Sequence, residues 1–333
     1  MKILVTGTAG FIGFHTFCAL QKAGHDVIGV DNINSYNDIR LKMARLEMSG
    51  FNVDDVMPNK IIESSRGGRF AKIDIADRDE FNKLFANEKF DAICHLAAQP
   101  GVRYSIENPY AYIDANIVAF LNVLECCRHF DVPHLVYASS SSVYGNTKQV
   151  PFSIDDPVNE PISLYAATKK SDELMAYCYS HLYHYSTTGL RFFTVYGPWG
   201  RTDMAMFKFT KAILNGDPID VYNHGNLSRD FTYVDDIVNG VQRILTKPPE
   251  QPAYRLYNIG HGSPVQLLDF IRAIEKVTGK KAILNMKEMQ KGDVMTTWAD
   301  TTALEKDFGY CPKIGIEEGV EQFVKWYRDF YSC

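Results

Sequence analysis

Short runs of apolar, β-branched residues alternate with helical patterns through the first 140 residues of the chain. Residues 2–6 predict a strand, and the apolar spacing of residues 11–23 predicts a helix. Further strands are expected at residues 25–30, 70–73, 91–98 and 134–140. Strands that are apolar on both faces and separated by helices form parallel sheets covered by helices on each side. The pattern therefore predicts an α/β fold built on a doubly wound parallel sheet.

Later parts of the chain indicate a second domain. Residues 49–69 are polar and rich in turn formers, which indicates an excursion from the core whose role the sequence leaves open. After the strand-like residues 189–197, the regular alternation fades. The apolar run at 255–260 predicts a return to the first sheet, and residues 317–331 predict a C-terminal helix. The expected domains are 1–197, with returns at about 231–260, and a smaller mixed α/β domain of residues 198–230 and 261–333.

The composition is that of an ordinary globular protein. Of 333 residues, 46% are hydrophobic and 23% are charged, and this composition excludes extended disorder. The chain is long enough to form two domains, each with a buried core. Aspartate and glutamate (40) outnumber lysine and arginine (35), so we expect no nucleic acid partner. The seven cysteines are scattered, which predicts reduced thiols and no metal site. Without a long apolar run or a basic leader, we expect a cytoplasmic protein with no membrane partner.

A glycine-rich loop joins the first predicted strand to the first predicted helix. It contains Gly7, Gly10 and Gly13, with Phe11 and Ile12 at the start of the helix. Glycines in this position allow a tight turn and leave the amides of the helix N-terminus facing a pyrophosphate, which indicates dinucleotide binding. Residue 9 is alanine where the common fingerprint has a glycine, and no Gly-Lys-Ser/Thr follows to indicate a P-loop. The alternative is a glycine turn with a purely structural role.

An aspartate ends the second predicted strand. Asp31 lies 18 residues after Gly13, where a carboxylate accepts hydrogen bonds from both ribose hydroxyls of NAD and repels the 2′-phosphate of NADP. We therefore expect NAD as the cofactor. Asp74, after the third predicted strand, is a weaker candidate for a contact with adenine. The alternative for Asp31 is a solvated side chain that opens the turn into Asn32.

Tyr165 and Lys169 are four residues apart, so on a helix they share one face. Tyrosine ordinarily has a pKa near 10, and it acts as a base at neutral pH only when about 4 kcal/mol of phenolate stabilisation is supplied. A nearby ammonium group and a nicotinamide ring provide such stabilisation. Because exposed helices often contain this spacing by chance, the pair is informative only in context.

These features occur in an order that resembles the extended short-chain dehydrogenase/reductase family. The resemblance rests on the glycine loop, Asp31, the HLAA run at 95–98, the serines at 139–142 and the pair Tyr165 and Lys169, and it covers nearly the whole chain. More narrowly, four segments resemble the UDP-glucuronate 4-epimerase subfamily: SLYAATKK (163–170), LRFFTVYGPWGR (190–201), DVYNHG (220–225) and RDFTYVDD (229–236). The resemblance implies a Rossmann-type NAD-binding domain and a smaller C-terminal domain for a UDP-sugar. It also implies a homodimer formed through the helices near 115–129 and 165–183.

The resemblance assigns catalytic and cofactor-binding roles to individual residues. Ser140, 25 residues before Tyr165, would join Tyr165 and Lys169 as the catalytic set. The alternative for Ser140 is a strand-end hydroxyl that caps a loop. Besides the glycine loop, the implied cofactor-binding residues are Asp31, Asn32, Asp74, Ile75, Leu96, Ala97, Ala98, Asn116, Tyr165, Lys169 and Tyr196.

On the substrate side, the resemblance implies that Arg229 binds the diphosphate, Asp293 the uridine ribose and Tyr222 the uracil pocket. Galactose-type epimerases carry an arginine three residues before that aspartate, whereas this chain has Gln290, so phosphate binding would depend more on Arg229. The alternative for Arg229 is a surface ion pair with Asp230 or its neighbours.

The sugar itself would be held by a second group of residues. Thr194, Ser142 and Arg201 are the candidates for a sugar carboxylate, and the alternative for Arg201 is a solvated charge. The remaining implied substrate contacts are Gln99, Arg103 and Ser140.

The implied reaction is the interconversion of UDP-glucuronate and UDP-galacturonate. Tyr165 would take the proton of the 4-hydroxyl while hydride passes from carbon 4 to NAD, and Ser140 would bind the same oxygen. The 4-keto sugar would turn within the site and take the hydride back on its other face. Firm hydrogen bonds would keep the carboxylate near the ring plane and prevent loss of carbon dioxide. The alternatives are a UDP-glucuronate decarboxylase, an epimerase of another UDP-hexose and a non-catalytic NAD-binding protein.

Overall fold

The computed structural model describes residues 1–290 and 294–333. The chain folds into two compact units. The first contains Met1–Gly145, Pro157–Arg191 and Val238–Tyr257, and the second contains Asn146–Asp156, Phe192–Ile237 and Asn258–Cys333.

The bounds of these compact units differ from the expected domain bounds. Residues 146–156 belong to the second unit because Phe152 is bound there: its amide donates to the Trp298 carbonyl at 2.7 Å, and its carbonyl accepts from Asp300 at 3.0 Å. The first unit stops at Arg191 and regains chain only from Val238 to Tyr257. These contacts join residues far apart in the chain, so local patterns cannot reveal them.

The strands, in chain order, are β1 (Lys2–Thr6), β2 (Asp26–Asp31), β3 (Ile61–Glu63), β4 (Arg69–Lys72), β5 (Ala92–His95), β6 (His134–Ser140), β7 (Ser186–Phe192), β8 (Thr194–Tyr196), β9 (Pro218–Tyr222), β10 (Ser228–Arg229), β11 (Phe231–Tyr233), β12 (Tyr254–Ile259), β13 (Val265–Gln266) and β14 (Ile283–Lys287).

The helices, in chain order, are α1 (Phe11–Lys22), α2 (Ile39–Met48), α3 (Arg78–Asn87), α4 (Tyr104–Glu107), α5 (Pro109–Tyr112), α6 (Ala119–His129), α7 (Leu164–Tyr183), α8 (Ala205–Asn215), α9 (Val234–Leu245), α10 (Leu267–Thr278), α11 (Thr302–Phe308) and α12 (Ile316–Tyr331). A π-helical turn (Ile113–Val118) joins α5 to α6, and a 3₁₀ turn (Ser141–Tyr144) follows β6.

One eight-stranded sheet organises the first unit, in the order β12-β7-β6-β5-β1-β2-β4-β3. The pairs β1/β2, β1/β5, β2/β4 and β5/β6 are parallel, with Val5 opposite both Gly29 and Cys94. Strand residues such as Ile28 and Ile93 are fully buried against helix residues such as Phe120, which explains their uninterrupted apolar runs. The predicted doubly wound α/β sheet is confirmed.

Three strand predictions differ from the structure in detail. The expected strand 189–197 is two strands, because the chain leaves the large sheet after Phe192 and β8 pairs in parallel with β11 of the second unit. The expected strand 91–98 stops at His95, and the next residues form a loop. Residues 49–69, whose role the sequence leaves open, supply β3, which pairs antiparallel with β4 at the sheet edge.

The second unit packs helices around short strands. The rings of Phe231 in β11 and Phe270 in α10 stack with centroids 4.2 Å apart. The C-terminal helix α12 buries Val320, Phe323 and Tyr327, whose spacing of three and four residues produces a single apolar face. The predicted C-terminal helix is confirmed on this pattern.

Within the described residues, one helical stretch, Pro109–His129, has the length and apolar composition that a membrane span requires. Of the residues in its most apolar 18-residue window, 44% are buried. Phe120, Val123 and Leu124 are fully buried in the core of the first unit. Packing against the sheet accounts for the apolar composition of this stretch.

Candidate active site

The glycine loop between β1 and α1 passes close to the loop after β5. Gly7 has a φ of 72°, and a Cβ at this position would lie 2.8 Å from the backbone nitrogen of Ala97. A Cβ on Gly13 would overlap with the Gly7 carbonyl oxygen, to which the Gly10 amide donates at 2.9 Å. Because a side chain fits at neither Gly7 nor Gly13, the loop presents bare backbone at the start of α1. Phe11 and Ile12 form the first residues of that helix.

Asp31, Asn32 and Asp74 lie together at the ends of β2 and β4. The buried Asp31 carboxylate accepts from the amides of Ala9 at 3.1 Å and Ile33 at 2.7 Å. Asn32 Nδ2 donates to Asp74 Oδ2 at 3.1 Å, and the neighbouring Ile75 is buried. A carboxylate has about four acceptor sites, so Asp31 keeps capacity for two further donors such as ribose hydroxyls.

Two basic residues of α2 lie near this carboxylate, and sequence reasoning missed them. Arg45 is buried and donates from Nη1 to the Ala9 carbonyl at 2.8 Å. Burial lowers the pKa of Lys42, the charge of Asp31 acts to raise it and the charge of Arg45 lowers it further. The available signal was a pair of basic residues three apart on a helix that follows Asp31. Their charges partly compensate that of the aspartate.

Buried polar side chains hold the loop after β5. The backbone amides of residues 96 and 97 each donate to Thr6 Oγ1 at 3.1 Å. Asn116, in the π-helical turn, accepts from the Gln99 amide at 2.7 Å and donates to Thr168 Oγ1 at 3.0 Å. Asn116 and Gln99 are both buried, so this bridge fixes the loop to α7.

Ser140 ends β6 and caps the 3₁₀ turn that follows. Its Oγ accepts from the Ser142 amide at 3.1 Å. The capping interpretation is therefore correct locally, but it does not exclude a catalytic role, because the hydroxyl proton of Ser140 is still free to be donated. Ser142 is half-buried, and Arg103 is exposed at the start of α4.

Helix α7 begins one residue before Tyr165. The Ser163 side chain caps it by accepting from the Ala166 amide at 3.1 Å, which fixes where the first turn starts. Tyr165 is half-buried, and its ring meets the ring of Tyr112 edge to face with centroids 6.1 Å apart. The hydroxyl of Tyr165 is thus carried by the rigid first turn of a helix.

Lys169 lies one turn further along α7 and is almost completely buried. Its ammonium donates to the Ala138 carbonyl at 3.1 Å and to Asp172 Oδ2 at 3.0 Å. Ala138 is two residues before Ser140 on β6, so the tyrosine–lysine helix is attached to the strand that carries the serine. The structure brings the three predicted catalytic residues to adjoining parts of the first unit.

A buried carboxylate that sequence reasoning missed strengthens this attachment. Glu173 accepts from Ser139 Oγ at 2.7 Å and from Arg191 Nε and Nη2 at 2.8 and 3.0 Å. Burial alone would raise the pKa of Glu173, but the hydrogen bonds and charge of Arg191 lower it overall. Because Ser139 precedes Ser140, this ion pair fixes the end of β6. A single sequence does not reveal that Arg191 faces this helix.

The predicted residues of the first unit collect at one edge of the sheet. The strands β1, β2, β4, β5 and β6 are parallel. Asp31 and Ser140 are the last residues of β2 and β6, and the glycine loop, Asp74 and residues 96–98 follow the carboxyl ends of β1, β4 and β5. In open α/β sheets, ligands bind at this edge.

Two of the predicted residues in the second unit belong to β8. Thr194 is half-buried and lies opposite Phe231 in the register of β8 and β11. Tyr196 is buried, and its hydroxyl donates to the Gly315 carbonyl at 3.2 Å. Its ring packs against the ring of Phe270 in α10. These contacts give the Tyr196 side chain a structural role in this core, and the cofactor contact expected of Tyr196 stays a prediction.

Arg229 is half-buried on β10, beside the end of β13. Its Nη1 donates to the carbonyls of Ser228 at 2.8 Å and Met295 at 3.1 Å. The carboxylate of Asp230 accepts from the backbone amides of His261, Gly262 and Ala299 at 2.7, 2.9 and 3.0 Å. The buried Asp230 therefore anchors two other segments of the second unit, at residues 261–262 and at residue 299, next to Arg229.

Tyr222 ends β9 and is half-buried. Gln290 lies within the described residues, and its side-chain oxygen is buried. Asp293, the predicted contact of the uridine ribose, lies outside the described residues.

Arg201 is partly exposed in the loop between β8 and α8. Its Nε and Nη2 donate to the two carboxylate oxygens of Asp203 at 3.0 and 2.5 Å. This bidentate geometry is the one that an arginine would offer to a substrate carboxylate. The guanidinium of Arg201 is thus held by a carboxylate of its own loop.

A comparison with family models decides the classification. The model described as the NAD dependent epimerase/dehydratase family matches residues 3–260. The chain belongs to this family.

Curated relatives and solved structures match the chain over its whole length. Protein CapI of Staphylococcus aureus is 51% identical, with full coverage of both chains. A probable UDP-glucuronate 4-epimerase of Rhizobium meliloti is 45% identical, covering 99% of this chain and 98% of the relative. The UDP-glucuronic acid 4-epimerase from Bacillus cereus, crystallised with UDP-glucuronic acid and NAD, is 33% identical with a TM-score of 0.89, covering 99% of this chain and 100% of that one.

Membership of this NAD-dependent epimerase/dehydratase family agrees with the cofactor region of the first unit. A cradle of bare backbone at Gly7 and Gly13, where a Cβ would collide, fits a pyrophosphate. The acceptor capacity of Asp31 fits the ribose hydroxyls of an adenosine. The residues present therefore fit NAD.

Proposed function

We propose that this chain is an NAD-dependent isomerase that interconverts UDP-glucuronate and UDP-galacturonate by 4-epimerisation through a transient 4-keto sugar. The observation that carries the proposal is the attachment of Tyr165 and Lys169 to the strand of Ser140, at the ligand-binding edge of the sheet. It occurs in a chain that matches a UDP-glucuronic acid 4-epimerase along its whole length.

Each catalytic residue has a distinct task in this proposal. Tyr165 takes the proton of the sugar 4-hydroxyl and later returns it. Ser140 donates its free hydroxyl proton to the same sugar oxygen, while its Oγ stays bound to the Ser142 amide. Lys169 stabilises the phenolate of Tyr165 by its charge. NAD, when bound, accepts hydride from carbon 4 and gives it back.

We propose that NAD lies along the carboxyl edge of the sheet. The glycine loop, with Phe11 and Ile12, would face its pyrophosphate, and Asp31 and Asn32 its adenosine ribose. The remaining proposed contacts are Asp74, Ile75, Leu96, Ala97, Ala98, Asn116, Tyr165 and Lys169.

The substrate residues stay proposals from the resemblance. Arg229 would bind the diphosphate, for which the anchoring of Asp230 to three backbone amides supplies a rigid base. Tyr222 would lie beside uracil and Asp293 beside the uridine ribose. Gln99, Arg103 and Ser140 complete the proposed sugar contacts.

Control of the sugar carboxylate is proposed for Thr194, Ser142 and Arg201. The ketone formed at carbon 4 makes this carboxylate a potential leaving group, so it has to be held near the ring plane. Arg201 can bind the sugar carboxylate only if its forked guanidinium group donates to this carboxylate as well as to Asp203, or releases Asp203. The ion pair keeps the fork ordered before the substrate arrives, which reduces the entropy lost on binding.

We also propose that the enzyme is a cytoplasmic homodimer. Leu174, Tyr177 and Leu182 on α7 and Leu121 on α6 are exposed apolar side chains, and α6 packs beside α7. A self-complementary apolar face on neighbouring helices suits a two-fold interface with a second copy. A reducing compartment suits the seven free cysteines.

The proposed activity can be tested on the purified enzyme with UDP-glucuronate, UDP-glucose and UDP-N-acetylglucosamine in separate incubations. Products are resolved by chromatography and identified by proton NMR. The proposal expects UDP-galacturonate from UDP-glucuronate without net change in NAD. UDP-pentose as the main product would indicate a decarboxylase. Turnover of the neutral sugars alone would indicate an epimerase of another UDP-hexose. No turnover of any of the three would indicate a non-catalytic NAD-binding protein.

A further inference from the structure

Asp172 is a buried carboxylate that the proposed reaction does not use. Its Oδ2 accepts from the Lys169 ammonium at 3.0 Å, and the two side chains are 1% and 2% exposed. An ammonium group has three protons. The Ala138 carbonyl takes a second one, so the described contacts leave a single proton of Lys169 to face a ligand or Tyr165.

We propose that Asp172 is a positioning residue for the proposed catalytic pair: its carboxylate anchors the Lys169 ammonium and reduces the positive charge that acts on Tyr165. The proposal rests on the roles given to Tyr165 and Lys169 above. It goes beyond them because it makes the working pH range of the pair depend on a residue that touches neither substrate nor cofactor.

The other ionisable groups around this ion pair keep a fixed charge near neutral pH. Burial, with the charge of Lys169, lowers the pKa of His95 on β5 to about 3, so that this imidazole is neutral. Burial raises the pKa of Tyr137 on β6 well above its usual value, so that this phenol is also neutral. Glu173 on α7 is ion-paired to Arg191, and its lowered pKa keeps it charged.

Asp172 differs from these groups. Burial raises its pKa to about 6, although the charge and hydrogen bond of Lys169 oppose the shift. Its second oxygen, Oδ1, is buried and has no hydrogen-bond partner in the described part of the chain. Of these groups, Asp172 is therefore the one that changes charge close to neutral pH.

The sign of its effect follows from the charge. An anion makes nearby groups harder to deprotonate. With Asp172 ionised, its charge stabilises the ammonium form of Lys169 and opposes the phenolate form of Tyr165. Removing the charge should move both limbs of the pH–activity profile to lower pH.

The test is the pH dependence of kcat/KM and kcat for UDP-glucuronate in the NAD-bound wild type and in Asp172→Asn, which keeps the shape and removes the charge. We expect both limbs to move down by about one pH unit, so the ratio of variant to wild-type activity should be about ten on the acid limb and about one tenth on the alkaline limb. Asp172→Glu, which restores the charge, should return the profile to its wild-type position. A loss of equal size at every pH, or a profile that stays in place, would overturn the proposal.

A second measurement needs no substrate and separates this proposal from the proposed function. The near-ultraviolet titration of the holoenzyme, minus that of Tyr165→Phe, gives the pH at which Tyr165 is half ionised. This pH should fall by about one unit in Asp172→Asn even if UDP-glucuronate is not the substrate. Asp172→Ser is a second uncharged variant. Failure of both uncharged variants to fold would overturn the proposal by giving Asp172 a structural role.

Discussion

In the proposed reaction, Tyr165 depends on the groups around it. The Ser163 cap and the ring of Tyr112 fix its position, and Lys169 brings a buried positive charge one turn away. The sequence identified the tyrosine and the lysine. It could not show that two bonds hold the lysine, because Ala138 lies on a strand some thirty residues earlier in the chain.

Replacing Tyr165 with phenylalanine should remove the proton acceptor and leave the ring in place. We expect kcat for epimerisation to fall at least about 100-fold, as is usual when a general base is lost, while NAD content and UDP-glucuronate binding persist. Tyr179→Phe makes the same change on the same helix and removes a hydroxyl bound to Glu125. Steady-state assays would exclude Tyr165 from the mechanism if its variant retained the turnover of this control.

Replacing Arg201 with alanine should affect charged and neutral sugars differently. Loss of one or two charge-assisted hydrogen bonds costs about 1.5–3 kcal/mol, which is roughly 10-fold to 150-fold in kcat/KM for UDP-glucuronate. Any activity on UDP-glucose should change little, and some UDP-pentose should appear because the carboxylate is freer to rotate. Equal losses on both sugars without pentose would mean that the Arg201–Asp203 ion pair stabilises its loop.

At the scale of elements, the apolar pattern predicted strands with a continuous buried apolar run and a helix with a single apolar face. The strands β1, β2 and β6 and the helix α12 agree with their predictions within about one residue. The break at Phe193 was not predicted, because it depends on β8 pairing with β11, which arrives almost forty residues later. The strand β3 was missed for a different reason: its three residues are too short a run to show an alternating pattern, and they become a strand only beside β4.

The role of the loop between β1 and α1 can be tested at Gly7, with Gly24, which lies between α1 and β2, as a matched control. Gly7 and Gly24 both have a positive φ. A Cβ on Gly7 would collide with the backbone of residue 97, whereas a Cβ on Gly24 would meet nothing within 4 Å. Alanine at either site carries a backbone cost of about 1–2 kcal/mol. Only Gly7→Ala should also lose bound NAD, measured as nucleotide released on denaturation.

The wild type and Gly24→Ala should release NAD in preference to NADP, because the carboxylate of Asp31 would repel a 2′-phosphate in the role proposed for it. NADP as the main nucleotide would contradict the role proposed for Asp31. Retention of NAD by Gly7→Ala would contradict the role proposed for the loop.

At the scale of the whole molecule, the exposed face of α6 and α7 predicts the oligomeric state. Leu174 and Leu182 are 56% and 60% exposed, which is unusual for leucines on one helix of a folded protein. Leu174→Asp should convert a dimer to a monomer, measured by light scattering during size-exclusion chromatography. Leu284→Asp, at an exposed leucine of β14 in the second unit, should leave the mass unchanged. A monomeric wild type would contradict the proposed interface.

The interleaving of the two units constrains how the protein can be synthesised. The last strand of the large sheet, β12, lies near residue 257, and the second unit takes in residues 146–156 as well as α12 at the C-terminal end. On the ribosome, the sheet therefore lacks its edge strand until late in translation, whereas residues 146–156 of the second unit have already been synthesised. A premature stop before β12 would leave both units incomplete, and no single cut in the gene yields either unit as a continuous fragment.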